Sequence, residues 1–499
     1  MEISPLLLLL LLLLFLIVAF ISWSSFSSKR MKLPPSPPSR PFLGHSHLFP
    51  NLLSSSFLSS QKEKLGPIFR LTFGRVHFIL VASAALTHEA LLQKGSIFSA
   101  RPQIPSTRIF TISFHGISSS HGPYWRFVRR NLVSRTLSPS NTSAFKHSRN
   151  EVLHRMIARF RQSRGIASAP VPVHEICRLA MFELLLFMCF GFFPDASTIS
   201  HVSSMLHETV TYGQSIAPSD FFPVLAFLDG FALRKKRANR AKQEKLFMSL
   251  IDQHQKLAKI GELTPGNYLE TLFALQTEDS STELSMDKMV TLCSEFLVGG
   301  VDTTVTTIEW TMAHLVENPL IQAKIHEEIC EAIGDKDRPI GEEDLPNLPY
   351  LQAAITETLR LHPPGHFTLP HSVSQPCKLG GYDILPGMAI YFSITAISRD
   401  PEIWDEPLEY RPERMLSRDV DLTGTNKITM LPFSAGRRIC PGLGVATIHL
   451  QLFIARMVQE FEWCTTHPGE IVDLSEKFQF VWTMKNPLKA VIRDRRKRT

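Results

Sequence analysis

Apolar positions along this chain recur mainly at helical spacing. Residues three and four apart repeat over Ser148 to Phe160, Glu175 to Cys189, Lys288 to Val316, Leu351 to Leu361 and Ala446 to Phe461, and each window predicts an α-helix. Short β-like stretches are fewer: Ile68 to Phe73, Phe78 to Val81 and Ala389 to Ile394. From Gly66 onward the pattern contains no second linker and no internal repeat. The expected body is one large domain, mainly α with small β-sheets.

The chain opens differently. Leu6 to Ile21 is an unbroken apolar run of 16 residues whose first nine are leucine. With Ser22 and Trp23 it makes a helix of ~27 Å, close to the thickness of the endoplasmic-reticulum bilayer. A cleaved signal peptide starts with basic residues and ends at a small-residue site; this run follows Glu2 and exits through Trp23. Lys29, Arg30, Lys32 and Arg40 come after it, so the positive-inside rule keeps the rest of the chain in the cytosol. Residues 1–23 are therefore expected to be a single transmembrane anchor helix. Residues 24–44 read as a basic, proline-rich hinge, because Pro34, Pro35, Pro37, Pro38 and Pro41 exclude helix and stiffen the chain. Residues 45–499 form the body.

Charge refines this reading. The net charge of +7 is concentrated: Arg234 to Lys245 carries +6, Arg493 to Arg498 carries +4, and the four basic residues after the anchor carry +4. These patches exceed the total, so the remainder is acidic. Such an arrangement fits anionic lipid or an acidic partner rather than nucleic acid. The seven cysteines are odd in number and contain no CxxC pair. That indicates neither a disulfide scaffold nor a zinc ribbon and fits a reducing, cytosol-facing compartment. With 34 Phe against seven Tyr, most aromatic surface lacks a polar handle, as an apolar cavity or a plain core requires.

One cysteine has informative neighbours. Pro432-Phe433-Ser434-Ala435-Gly436-Arg437-Arg438-Ile439-Cys440-Pro441-Gly442 leads into a helical window. A thiolate ligand to iron needs a cysteine on a rigid loop with backbone N–H groups aimed at its sulfur. Gly436 and Gly442 permit close turns. The positive N-terminal end of the following helix favours thiolate over thiol. Phe433 is placed to cover the sulfur from water, and Arg438 to meet a carboxylate.

The spelling Phe-x-x-Gly-x-Arg-x-Cys-x-Gly resembles the haem loop of the cytochrome P-450 family. Glu357-Thr358-Leu359-Arg360 and Tyr410-Arg411-Pro412-Glu413-Arg414-Met415 resemble two further motifs of that family. They imply a buried triad of Glu357, Arg360 and Arg414, with Met415 where phenylalanine is usual. Trp125 and Arg129 match Trp-x-x-x-Arg, whose residues hold a haem propionate, and His371 falls where related plant sequences place another such partner. Leu379-Gly380-Gly381-Tyr382-Asp383 and Thr483-Met484-Lys485-Asn486 look like plant microsomal members, most like the family designated eighty-nine.

The resemblance implies a cytochrome P-450 fold, with residues 45–499 as a haem-thiolate monooxygenase domain. It also implies haem b (iron protoporphyrin IX) on Cys440 and electrons from NADPH through a membrane-bound cytochrome P-450 reductase, docked near Arg126, Arg130 and Arg437. Within Phe296-Leu297-Val298-Gly299-Gly300-Val301-Asp302-Thr303-Thr304, two helix-interior glycines cost roughly 1 kcal/mol each. By resemblance they open a groove in which Asp302 and Thr303 relay protons. The same resemblance assigns the distal loops Arg101 to Gly122 and Ser215 to Leu225 to substrate, together with Leu297, Val298, Phe367, Leu369, Val481 and Trp482. These positions are mainly apolar, which implies a lipophilic small molecule. A P-450-type isomerase or dehydratase, and a non-catalytic haem-binding membrane protein, are the competing readings of the same loop.

Overall fold

The helical windows all become helices in a computed structural model. It describes residues 31–51, 55–103, 115–165, 169–213, 217–278, 284–334, 338–467 and 469–495. The longer helices are α1 (Ser55–Leu65), α2 (Gly122–Asn131), α3 (Lys146–Arg164), α4 (Val173–Phe190), α5 (Ala196–Gly213), α6 (Gly230–Ile260), α7 (Tyr268–Glu278), α8 (Met286–Glu317), α9 (Pro319–Ile333), α10 (Pro349–Leu361) and α11 (Leu443–Glu460). The predicted anchor lies outside the described residues, among which no helix is long and apolar enough to cross a membrane.

Helix α8 is the spine. It is 32 residues long and buried almost continuously from Val301 to Val316. Helix α4 packs beside it and is buried on every side from Ala180 to Phe190, as an apolar sequence broken only by Glu183 demands, and that carboxylate is paired with Arg159. Helices α3 and α11 complete this layer, and Met156, Phe160, Leu184, Met188, Ile308, Met312, Leu452 and Phe453 fill one continuous core between them. Gly191 takes a left-handed φ of 79° and ends α4, the usual helix stop.

The strands form small sheets at the margin: β1 (Ile68–Phe73), β2 (Val76–Val81), β3 (Val171–Pro172), β4 (Cys377–Leu379), β5 (Tyr382–Ile384), β6 (Ala389–Phe392), β7 (Phe461–Cys464), β8 (Glu476–Phe478), β9 (Trp482–Met484) and β10 (Lys489–Asp494). β1 pairs antiparallel with β2, which pairs parallel with β6. β3, β10 and β7 make a second sheet, and β4–β5 and β8–β9 are two-stranded. The strand expected to run to Ile394 stops at Phe392, because the Ser393 side chain accepts the Ala396 N–H and caps a short helix. The last helix likewise starts at Leu443, ahead of its apolar stripe.

Two sequence expectations are modified. The hinge is already attached to the body: Arg70 N–H donates to the Pro35 carbonyl at 2.7 Å, and Lys32 exchanges two 2.8 Å hydrogen bonds with Asp383. The basic stretch of α6 is only partly a solvated face. Lys236 and Arg240 are buried, and Arg240 bonds Glu244 and the Thr291 hydroxyl of α8.

Candidate active site

Cys440 sits on a loop locked by its glycines. Its N–H donates to the Phe433 carbonyl at 2.8 Å, which closes the turn. Ser434 and Gly436 both take positive φ, 61° and 65°. A Cβ at Gly436 would lie 2.0 Å from the Leu91 carbonyl oxygen, so backbone approach excludes any other residue there. The Gly442 N–H and the Arg129 guanidinium act on the Cys440 thiol to favour thiolate, but burial outweighs both and its pKa is raised. The helix terminus therefore does not by itself ionise this cysteine. A metal cation bound there would. Phe433 is half-buried against the core, beside the loop it closes.

Around this loop lies an unusual set of cations. Arg438 donates to the carbonyls of Ser99, Ile117 and Ser120 at 2.6–3.1 Å. Arg129 donates to the Ile439 carbonyl. Arg101 donates to the carbonyls of Ser118, Leu369 and Pro370 at 2.7–2.9 Å. The Arg438 guanidinium also covers the Trp125 ring at 3.9 Å. Burial and the neighbouring charges of Arg101 and Arg129 push Arg438 down to about 8, and burial pushes Arg101 down to about 10. The carboxylate acting on them is Glu295. Among the described residues, three positive groups less one negative group leaves two uncompensated positive charges. Among the described residues the buried Trp125 indole N–H has no acceptor, and His371 Nε2 has no partner. His371 Nδ1 faces the Phe98 carbonyl at 2.8 Å, so in the neutral ring Nε2 is a lone pair. It becomes a donor only as imidazolium, a form that burial and the neighbouring charges of Arg101 and Arg438 disfavour by pushing its pKa well below the ordinary histidine value; a carboxylate bound beside it would pull the other way. A group carrying a metal and two carboxylates fits this tract in charge and in donors. Haem b is such a group.

Helix α8 crosses the other side. Gly299 is exposed and a Cβ there meets nothing within 4 Å, whereas a Cβ at Gly300 would come 2.7 Å from Leu185 Cδ1. The two glycines therefore have separate reasons: one opens space, and the other admits α4. Thr303, one turn beyond Gly299 on the same face, donates its hydroxyl to the Gly299 carbonyl at 2.7 Å. Asp302 does not join it. Its carboxylate takes the Arg178 Nε–H at 3.0 Å from α4, so the two adjacent residues serve different faces of the helix.

The Glu357–Arg360–Arg414 cluster is fully formed. Arg360 grips both Glu357 oxygens at 2.8 Å, and Arg414 Nε donates to Oε1 at 3.0 Å. All three are buried, and the spare guanidinium N–H groups reach the carbonyls of Ser398, Pro407, Asp405 and Glu406. Met415 packs against the core. The expected pocket residues separate. Val298 and Phe367 are half-buried and Leu369 is exposed, but Leu297 is buried completely in the core. Val481 is buried, while Trp482 stacks on His366 at 3.8 Å and its carbonyl accepts from Thr306 and Trp310. Parts of the loops Arg101 to Gly122 and Ser215 to Leu225 lie outside the described residues. Arg126, Arg130 and Arg437 are all exposed.

Sequence reasoning missed Arg101 and Glu295. Glu295 left one signal: it is the sole charged residue between Lys288 and Asp302 in an apolar stripe, a position where an unpaired charge is costly.

Comparison with known proteins agrees with this geometry. The family model described as Cytochrome P-450 matches residues 34–490. The curated protein named Cytochrome P-450 89A9, from Arabidopsis thaliana, is 37% identical over 452 residues, covering 87% of each chain. The flavonoid 3'-monooxygenase of Petunia hybrida is 30% identical, over 90% of this chain and 89% of that one. A zebrafish cytochrome P-450 solved with progesterone superposes with a TM-score of 0.75 at 25% identity, covering 88% of this chain and 98% of that chain. On this evidence the chain belongs to the cytochrome P-450 family and is a plant-type monooxygenase resembling family eighty-nine.

Proposed function

We propose that this chain is a haem-thiolate monooxygenase of the endoplasmic-reticulum membrane, facing the cytosol. It inserts one oxygen atom of O2 into a lipophilic small molecule, using electrons from NADPH delivered by a reductase. The observation that carries the reading is the glycine-locked Cys440 loop beside a buried tract with two excess positive charges. Haem b, when bound, supplies the iron chemistry that activates dioxygen.

In this reading Cys440 holds the iron as thiolate. Arg129, Arg438, Trp125 and His371 hold the two carboxylates, and Phe433 keeps water from the sulfur. Thr303 Oγ moves a proton in the space that Gly299 leaves open. Asp302 is the acid of the relay once its carboxylate turns from Arg178, its partner in the structure. The Glu357–Arg360–Arg414 cluster braces the loop side without touching substrate. Val298, Phe367, Leu369, Val481 and Trp482 are the proposed substrate-facing positions. Leu297 drops out because it is wholly in the core. The petunia relative is named for a flavonoid, which supports a small-molecule substrate here.

The membrane part rests on the apolar run of residues 1–23 and on the surface of the body. Val224, Phe227, Leu228 and Phe231 form an exposed apolar ridge, with Phe42 and Leu43 also exposed. Both segments abut one sheet edge: Phe221 O accepts the Arg75 N–H, and His45 N–H donates to Thr72 O. Exposed Arg234, Lys235 and Arg237 follow the ridge, and this pairing of apolar and basic groups suits anionic lipid.

The electron route is tested by mixing the protein with cytochrome P-450 reductase and NADPH under carbon monoxide. The reading predicts the reduced carbonyl spectrum, formed more slowly when Arg126, Arg130 and Arg437 are changed to Glu. Reduction by dithionite but never by NADPH and reductase would favour the reductase-independent isomerase or dehydratase.

A further inference from the structure

Glu295 is a half-buried carboxylate that the proposed chemistry does not use. It stands on α8 exactly one turn before Gly299 and two before Thr303, on the same face. Across from it, residues Gly116 to Ser120 form a single turn closed by the Ser120 N–H on the Gly116 carbonyl at 2.8 Å. Such a turn leaves its first amides without internal partners. Glu295 takes both: one oxygen accepts the Ile117 N–H and the other the Ser118 N–H, the latter at 2.8 Å. Gly116 keeps this approach close: a Cβ there would lie 3.0 Å from both carboxylate oxygens, and the Glu295 side chain would have to give way.

The other side of the same turn faces the cations. The Ile117 and Ser120 carbonyls accept from Arg438, and the Ser118 carbonyl accepts from Arg101. The peptide units are therefore aligned, N–H toward a carboxylate and C=O toward two guanidinium groups. Charge-assisted hydrogen bonds at both ends are stronger than neutral ones. One short turn thus couples the face of α8 that carries Thr303 to the arginines of the proposed cofactor tract.

We propose that Glu295 is a positioning residue that fixes this turn over the reaction space and so limits the size and orientation of what binds there. The proposal rests on the haem-thiolate reading for what it positions, but not for the clamp itself. Burial pushes the Glu295 carboxyl up, while the Ser118 side chain, the two amides and Arg101 pull it back.

The test uses the full-length, haem-loaded protein and its Glu295→Ala and Glu295→Gln variants. Hydrogen exchange is followed at the amides of Ile117 and Ser118, with the α4 amides from Phe182 to Cys189 as the control. Exchange at the two loop amides should rise roughly tenfold or more in Glu295→Ala, less in Glu295→Gln, and stay unchanged in α4. In the ferric protein, 4-phenylimidazole should bind more weakly by several-fold, as read from the Soret shift, while imidazole binds as before. Unchanged exchange at both amides overturns the proposal, as does an equal loss of affinity for both azoles. If Glu295→Ala does not fold, the isosteric Glu295→Gln carries the same two readouts. A wild-type protein without thiolate-ligated haem refutes the haem-thiolate reading instead, and exchange at Ile117 and Ser118 still decides the clamp.

Discussion

Trp125 carries a buried indole N–H with no acceptor among the described residues, beneath the Arg438 guanidinium. An orphan donor of that kind is expensive unless a ligand completes it. Trp125→Phe keeps a ring under Arg438 and deletes the donor. A hydrogen bond to a charged group contributes about 1.5–3 kcal/mol, so haem should transfer from the variant to apomyoglobin roughly ten to a hundred times faster. An unchanged transfer rate would remove Trp125 from the cofactor site. At this scale, legibility depended on whether a residue's role is fixed by adjacent chain. Cys440, Gly436 and Arg438 lie within one loop, and their chemistry dictates residue type at fixed spacing. Arg101 and Glu295 act through the main chain of a turn 177 residues away from Glu295, so nothing beside them announced the contact. Asp302 was legible as an acid, but its orientation was not, because adjacent helical residues point about 100° apart and only the fold shows that Arg178 claims it.

Among the elements, α8 shows how one motif serves two needs. Gly300→Ala forces a methyl against Leu185 at 2.7 Å and should destabilise the α4–α8 contact by about 1–3 kcal/mol. Gly299→Ala has free space and gains helix propensity of about 1 kcal/mol, so its thermal midpoint should equal or exceed that of wild type. Equal midpoints for the two variants would contradict this division. The double glycine was visible in sequence, but the asymmetry came from packing.

A second contact joins α4, α8 and the last strand. His174 Nδ1 meets Glu309 Oε2 at 2.8 Å, and Oε1 accepts the Leu488 N–H at 2.9 Å. Burial opposes charge on His174, but the Glu309 hydrogen bond and charge win and raise its pKa. A raised histidine stabilises the fold fully below its unfolded value of about 6.5 and loses that contribution as pH rises through the folded value. His174→Gln should therefore lower the urea midpoint more at about pH 6 than at about pH 9. A pH-independent difference would mean that the ring contributes only packing.

At the scale of the whole molecule, the chain sets one buried cationic tract between a marginal sheet and a long helix. The layer of α3, α4, α8 and α11 was legible because apolar stripes at helical spacing must be buried. The attachment of the proline segment to β1 was not, because prolines advertise stiffness and say nothing about what they lie against. Nor did the basic run of α6 announce that Lys236 and Arg240 turn inward; charge counts do not record direction. The glycine-locked loop and Arg129 of the cationic tract meet at Cys440, so the central claim is tested there. The visible spectrum of the dithionite-reduced protein, with and without carbon monoxide, should show a strongly red-shifted Soret band that disappears in Cys440→Ser. Well-folded protein with no haem band, or a band that survives Cys440→Ser, would contradict the account.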